Sequence, residues 1–109
     1  MTMLAEQKCV PCQGGVAPLK GEHLTQRMDQ LGPGWNLIDD KNIEKTWSFD
    51  DFGKTWNFVS QVAELAEEEN HHPYVCFTYG QATVTLWTHK IDGLTESDFI
   101  FAAKVEEKL

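Results

Sequence analysis

Tyr74-Val-Cys-Phe-Thr-Tyr79, then Gly80-Gln81, then Ala82-Thr-Val-Thr-Leu-Trp87-Thr88 is the stretch that decides the fold. Both flanking runs are rich in β-branched and aromatic residues, which suit a pleated, half-buried surface. Gly80-Gln81 is a natural two-residue hairpin link. Strands joined this tightly run antiparallel, because a parallel pair needs a long crossover. Upstream, residues 35–38 and 42–49 read as a second pair around the turn Asp39-Asp-Lys41. Ile43, Trp47 and Phe49 alternate with Glu44, Thr46 and Ser48, the period of a sheet with one wet face. Lys45 interrupts the buried row.

Helical spacing surrounds these strands. Leu24, Met28 and Leu31 make one stripe over residues 21–31, and Gly32-Pro-Gly34 stops that helix. Asp50 and Asp51 supply N-cap chemistry for a second helix over residues 51–69, with Phe52, Trp56, Val59, Ala63 and Ala66 as its expected apolar stripe. A third starts at Thr95, where Thr95-Glu-Ser-Asp98 fits a capping box, and buries Phe101, Ala102, Val105 and Leu109. The order is helix, strand, strand, helix, strand, strand, helix. It predicts an α+β fold: a four-stranded antiparallel sheet with three helices packed on one face.

With 109 residues the chain is one domain, read as residues 19–109 behind an irregular arm at residues 1–18. Asp and Glu number 17 against 9 Lys and Arg, a net charge of -8. That balance opposes nucleic-acid binding, which needs a basic face, and polybasic membrane anchoring. No apolar run is long enough to span a bilayer, and the first residues lack a secretory signal's apolar stretch. A cytoplasmic protein with reduced thiols is expected. Cys9-Val-Pro-Cys12 is a CxxC, a spacing used in zinc and redox sites. No second CxxC completes a zinc site, and an arm is not the helix start that redox chemistry needs. The arm is read as packing, and no metal is assigned. No phosphate-binding Gly loop and no Gly-x-Ser-x-Gly elbow occur.

Three of the four histidines, His71, His72 and His89, flank the hairpin. A turn at Gly80-Gln81 pairs Pro73 with Thr88 and His72 with His89, so one site is expected to gather them. Histidine titrates near neutrality and is the natural acid or base. Each also has an ordinary structural reading as a solvated residue at an element end. Glu67, about one helical turn before His71, is placed to orient that imidazole, although Glu67-Glu-Glu69 also reads as a solvated acidic face. Asp98 is explained by capping alone or by a role near His89. Trp35 and Trp87 are core residues or platforms for a flat heterocycle.

Glu67-Glu-Glu-Asn-His71-His72-Pro73, then Tyr79, His89 and Asp98, resembles the signature of the pterin-4a-carbinolamine dehydratases. The likeness runs through Gly34-Trp35-Asn36, Phe49-Asp-Asp-Phe52 and Gly93-Leu-Thr-Glu-Ser-Asp98, covering about residues 19–105. It implies dehydration of a 4a-hydroxytetrahydropterin to the quinonoid dihydropterin, without metal or other cofactor. His71 and His89 become the acid and base, in an order left open, and His72 a third catalytic or binding residue. Glu67 would orient His71, and Asp98 would support His89. Pro73, Trp35, Trp87 and Thr88 become the pterin contacts. A homodimer or homotetramer is implied, with no nucleic-acid or membrane partner. The alternatives are a non-catalytic dimerisation or assembly factor, or a pterin-binding protein of another pathway.

Overall fold

The computed structural model describes Leu4–Glu6 and residues 18–109. Among these are α1 (Glu22–Leu31), β1 (Asn36–Ile38), β2 (Asn42–Ser48), α2 (Phe52–Glu69), β3 (Tyr74–Thr78), β4 (Gln81–Leu86) and α3 (Glu96–Glu106). Short 3-10 turns lie at Leu4–Glu6 and His89–Ile91. The element order is the predicted one, and the strands form a four-stranded antiparallel sheet in the order β1-β2-β4-β3. Cys9, Cys12 and most of the expected arm lie outside the described residues.

Alternation along the strands sorts the faces. Ile43 pairs with Leu86 and Trp47 with Ala82, and all four are buried. Lys45, opposite Val84 on that same face, keeps its stem on the core and sends its ammonium to Glu106 Oε1 and the Pro33 carbonyl. The interruption in the buried row is therefore a link between β2 and α3. On the other face, Thr46 and Thr83 exchange a hydroxyl hydrogen bond of 2.8 Å.

The β3–β4 hairpin turns one residue earlier than Gly80-Gln81 implies. Thr78 faces Gln81 and Tyr74 faces Thr85, so Tyr79-Gly80 is the link. The cause is a close backbone approach. Gly80 O accepts from Phe49 N at 2.8 Å, and a Cβ on Gly80 would come within 2.9 Å of Phe49 O. Glycine is needed where the two hairpins meet. The partner of each β3 residue thus moves by two positions, an even shift that leaves every side chain on its expected face.

Helix α2 starts at Asp51, whose carboxylate accepts from Lys54 N at 2.8 Å. Its buried stripe is Thr55, Phe58, Val59, Val62, Leu65 and Ala66. The expected stripe is correct at Val59 and Ala66 and wrong at Phe52, Trp56 and Ala63, which are exposed. The helix carries two apolar faces, and Thr55 marks the inner one because its hydroxyl donates to the Asp51 and Tyr79 carbonyls. On the outer face, Phe52 and Trp56 lie against Phe77 of β3, with ring centroids 6.2 and 6.0 Å away.

Helix α3 is buried on nearly every side. Asp98, Phe99, Ile100, Phe101, Ala102 and Val105 are all inside, with α1, α2 and the Leu4–Glu6 turn against it. Leu109, expected in the stripe, lies past the helix end and is exposed. Near that end, Glu106 Oε1 also accepts from Trp35 Nε1 at 3.0 Å. Trp35 is buried and packs edge-on against Trp47. Removing Glu106 orphans the indole N–H and leaves the half-buried Lys45 ammonium with only the Pro33 carbonyl. Glu106→Ala is expected to lower the free energy of unfolding by about 1–3 kcal/mol. Urea denaturation should show the fall as a lower midpoint with an unchanged slope.

Candidate active site

Three chain segments meet at one end of the hairpin. The first is the exit of α2, where Asn70 takes the left-handed conformation at φ 52° and ψ 42°. Asn70 N and His71 N both donate to Ala66 O, closing the helix with two backbone bonds. Asparagine tolerates that conformation better than most side chains. The second segment is the end of β4 and the following 3-10 turn. Thr88 N donates to Gly93 O at 2.8 Å, bending Trp87, His89 and Lys90 round the corner. Gly93 is buried against Pro18, where a Cβ would meet the proline at 2.7 Å. The third segment is the start of α3.

Asp98 joins all three. It has no exposed surface. Its Oδ1 accepts from His71 Nε2 at 2.7 Å, and its Oδ2 from Thr88 Oγ1 at 2.8 Å and Thr95 N at 2.9 Å. The predicted capping box of Thr95 and Asp98 is present, so the same carboxylate caps a helix and holds a histidine. A carboxylate only accepts, which places a proton on His71 Nε2 and leaves Nδ1 as the nitrogen free to exchange one. The His71 side chain is 11% exposed and lies 5.8 Å from the Phe101 ring.

A cleft of about 260 Å³ opens beside this pair, lined by Asn70, His71, His72, Trp87, Thr88, His89 and Lys90. That volume is at the small end of ligand clefts. His71, His72 and His89 all line it, but the expected pairings of Pro73 with Thr88 and His72 with His89 are not formed, since the observed register, continued, sets Pro73 opposite Leu86 and His72 opposite Trp87. Trp87 and His89 lie ring on ring, with centroids 4.3 Å apart and planes 7° from parallel. Among the described residues, no three His, Cys, Asp or Glu side chains are placed to share a metal ion.

Several expected pairings are corrected. Glu67 is not beside His71; its nearest imidazole is His72, at 3.8 Å between two exposed side chains. The expectation assumes that the helix continues to His71, whereas Asn70 reverses the chain and swings His71 towards α3. Asp98 supports His71 rather than His89, and reaches the His89 turn through Thr88. Trp35 is a core residue hydrogen-bonded to Glu106 and does not line the cleft. Thr88 lines the cleft but gives its hydroxyl proton to Asp98. Pro73 is half-buried next to His72 and is not among the cleft-lining residues. Asn70 and Lys90 were not singled out from the sequence. Asn70 carried a usable signal, since Asn after a helix and before His-His-Pro suits a left-handed cap.

The profile of the family described as pterin 4 alpha carbinolamine dehydratase matches residues 17–108. The chain belongs to that family. It is 56% identical over 106 residues to a Rubrobacter xylanophilus protein provisionally named a pterin-4-alpha-carbinolamine dehydratase, covering 97% of this chain and 98% of that one. A Rickettsia canadensis protein with the same provisional name is 42% identical over the whole of both chains. Among solved structures, a transcriptional coactivator/pterin dehydratase from Brucella melitensis superposes with a TM-score of 0.78 at 32% identity, covering 84% of this chain and 97% of that one. A pterin dehydratase-like RuBisCO assembly factor of the alpha-carboxysome shares the fold, with a TM-score of 0.61 at 24% identity over 72% of this chain and 92% of that one.

The unequal standing of the two acidic residues is measurable. Asp98→Ala is expected to cost about 2–4 kcal/mol of stability, because three donors in a closed site lose their acceptor. Glu67→Ala, at the surface, should stay within about 0.5 kcal/mol of the unaltered protein. Chemical denaturation of the two variants side by side makes the comparison.

Proposed function

We propose that this chain dehydrates 4a-hydroxytetrahydrobiopterin, or a close pterin relative, to the quinonoid dihydropterin. The observation that carries this reading is the cleft in which His71, anchored on buried Asp98, shares a wall with His89 from a different segment. The reaction breaks the C4a–O bond as the hydroxyl takes a proton and leaves as water. The N5 proton departs, and the electron pair it leaves behind forms the C4a–N5 double bond. Two protons move and no electrons are exchanged with another molecule. The chemistry therefore calls for an acid and a base, not for a metal or nucleotide.

In this reading His71 is the base. Its Nδ1 takes the N5 proton, and the Asp98 oxygen 2.7 Å from Nε2 compensates the arriving positive charge. His89, with its exposed ring on the other segment, protonates the departing hydroxyl. His72 is the third pocket imidazole, with Glu67 beside it, and binds the pterin or relays a proton. Pro73 fixes the chain next to His72. The product feeds tetrahydropterin recycling after aromatic amino-acid hydroxylation, in the cytoplasm, with no nucleic-acid or membrane partner.

The assembly proposed is a homo-oligomer built on β3. This strand has β4 on one side and is an edge on the other, and four of its five residues are exposed. Tyr74, Phe77 and Tyr79, together with Phe52 and Trp56, present large exposed hydrophobic side chains along it. A long apolar edge left open would invite aggregation, and pairing with the same strand of a second copy satisfies both its backbone and its rings. Phe77→Lys is expected to shift the protein towards monomer in sedimentation experiments, and an unchanged oligomer would move the interface elsewhere.

Stopped-flow mixing with freshly made 4a-hydroxytetrahydrobiopterin tests the chemistry. Turnover should far exceed the buffer rate, and His71→Ala/His89→Ala should lose at least about 10²–10⁴-fold. A wild-type rate equal to buffer rejects the enzyme and favours a binding or assembly role.

A further inference from the structure

The ring pair at the cleft mouth assigns Trp87 a role that composition does not suggest. Trp87 and His89 flank Thr88, and alternation sends both side chains to the side opposite the Thr88 hydroxyl. Thr88 is fixed at two points, by its amide to Gly93 O and by its hydroxyl to Asp98 Oδ2, each at 2.8 Å. The turn His89–Ile91 then folds the imidazole onto the indole, to a centroid distance of 4.3 Å and an angle of 7°. That is closer and flatter than the other ring contacts among the described residues, where the angles run from 33° to 82°.

A face covered by one ring is closed to another. The indole face towards His89 is occupied, so a flat ligand entering the cleft meets the imidazole there and not the indole. His89 is exposed, and no hydrogen bond between its imidazole and a protein group is found among the described residues. Its partner is the indole. His71, by contrast, is oriented by the Asp98 carboxylate. The two segments thus hold their histidines by different means, one by a charge-assisted hydrogen bond and one by a stack.

We infer that Trp87 is a positioning residue for His89, the indole face it turns to the imidazole being closed to a flat ligand. The stack limits the imidazole, on a residue that lines the cleft, to rotation within its own plane. An imidazolium over an indole face is also a favourable cation–π arrangement, so the contact holds in either protonation state of His89. The inference rests on the dehydratase reading for its kinetic consequence, but not for its geometry.

Two substitutions separate the roles. Trp87→Leu keeps an apolar side chain and removes the stack, and Trp87→Phe restores an aromatic face. A loosely held acid loses alignment, for which a misplacement of about 1 Å costs about 10²-fold. Trp87→Leu should therefore lower kcat by about 10–100-fold with KM nearly unchanged, and Trp87→Phe should recover most of the loss. A raised KM with kcat preserved would make Trp87 the pterin platform and overturn the inference. Proton NMR of the histidine rings reads the stack without turnover. The His89 ring protons should lie upfield of those of exposed His23 through shielding by the indole, and move to the His23 position in Trp87→Leu. Ring protons that do not move would also overturn it. If the wild type turns over no faster than buffer while the shielding is present, the dehydratase reading fails and the stack stands.

Discussion

A carboxylate removed from water must have its lone pairs filled by donors, and Asp98 draws those donors from three separate places in the chain. His71 comes from the exit of α2, Thr88 from the end of β4, and the Thr95 amide from the first turn of α3. Breaking one partner away from a buried charge is costly, so the three segments dock together or not at all. Helix α3 is buried on nearly every side, and Asp98 at its start and Glu106 at its end each tie it to the sheet side, through Thr88 and through Lys45. The site is in this sense a by-product of the fold's most demanding polar contact. The proton that Asp98 draws to His71 Nε2 leaves Nδ1 as the nitrogen able to accept one.

The remaining site geometry is supplied by backbone devices. A left-handed asparagine ends α2 one residue before His71, and the Thr88–Gly93 bridge turns the chain just before His89. Neither device contributes a side chain to acid–base chemistry, yet without them both histidines would run on along their elements. The segment holding His71 belongs to the core, whereas the turn holding His89 is nearer the surface. The two histidines are thus held differently, His71 by a carboxylate and His89 by a ring stack.

The fold was legible in the sequence because its signals are local and mutually consistent. The hairpin links, the Gly32-Pro-Gly34 stop and the Thr95–Asp98 capping box each act within a few residues. What failed was decided by distant contacts. The hairpin turn moved by one residue because Gly80 must let Phe49 approach, which the hairpin's own sequence does not reveal. The stripe on α2 was ambiguous because two apolar faces exist, and the buried hydroxyl of Thr55 rather than hydrophobicity marks the inner one. Helical spacing points Glu67 at His71, but one left-handed residue cancels that spacing. The true partner lies 27 positions away. His71, His72 and His89 still line one cleft because the Asn70 cap and the Thr88–Gly93 bridge, not the strand register, turn their segments towards it.

Asp98 sets the protonation geometry of His71 through the bond to Nε2. Nitrogen-15 NMR of the histidine rings in mildly alkaline solution tests it most directly. Neutral His71 is expected to carry its proton on Nε2 and leave Nδ1 bare. A proton found on Nδ1 would contradict the hydrogen bond to Asp98, and with it the assignment of His71 as the base.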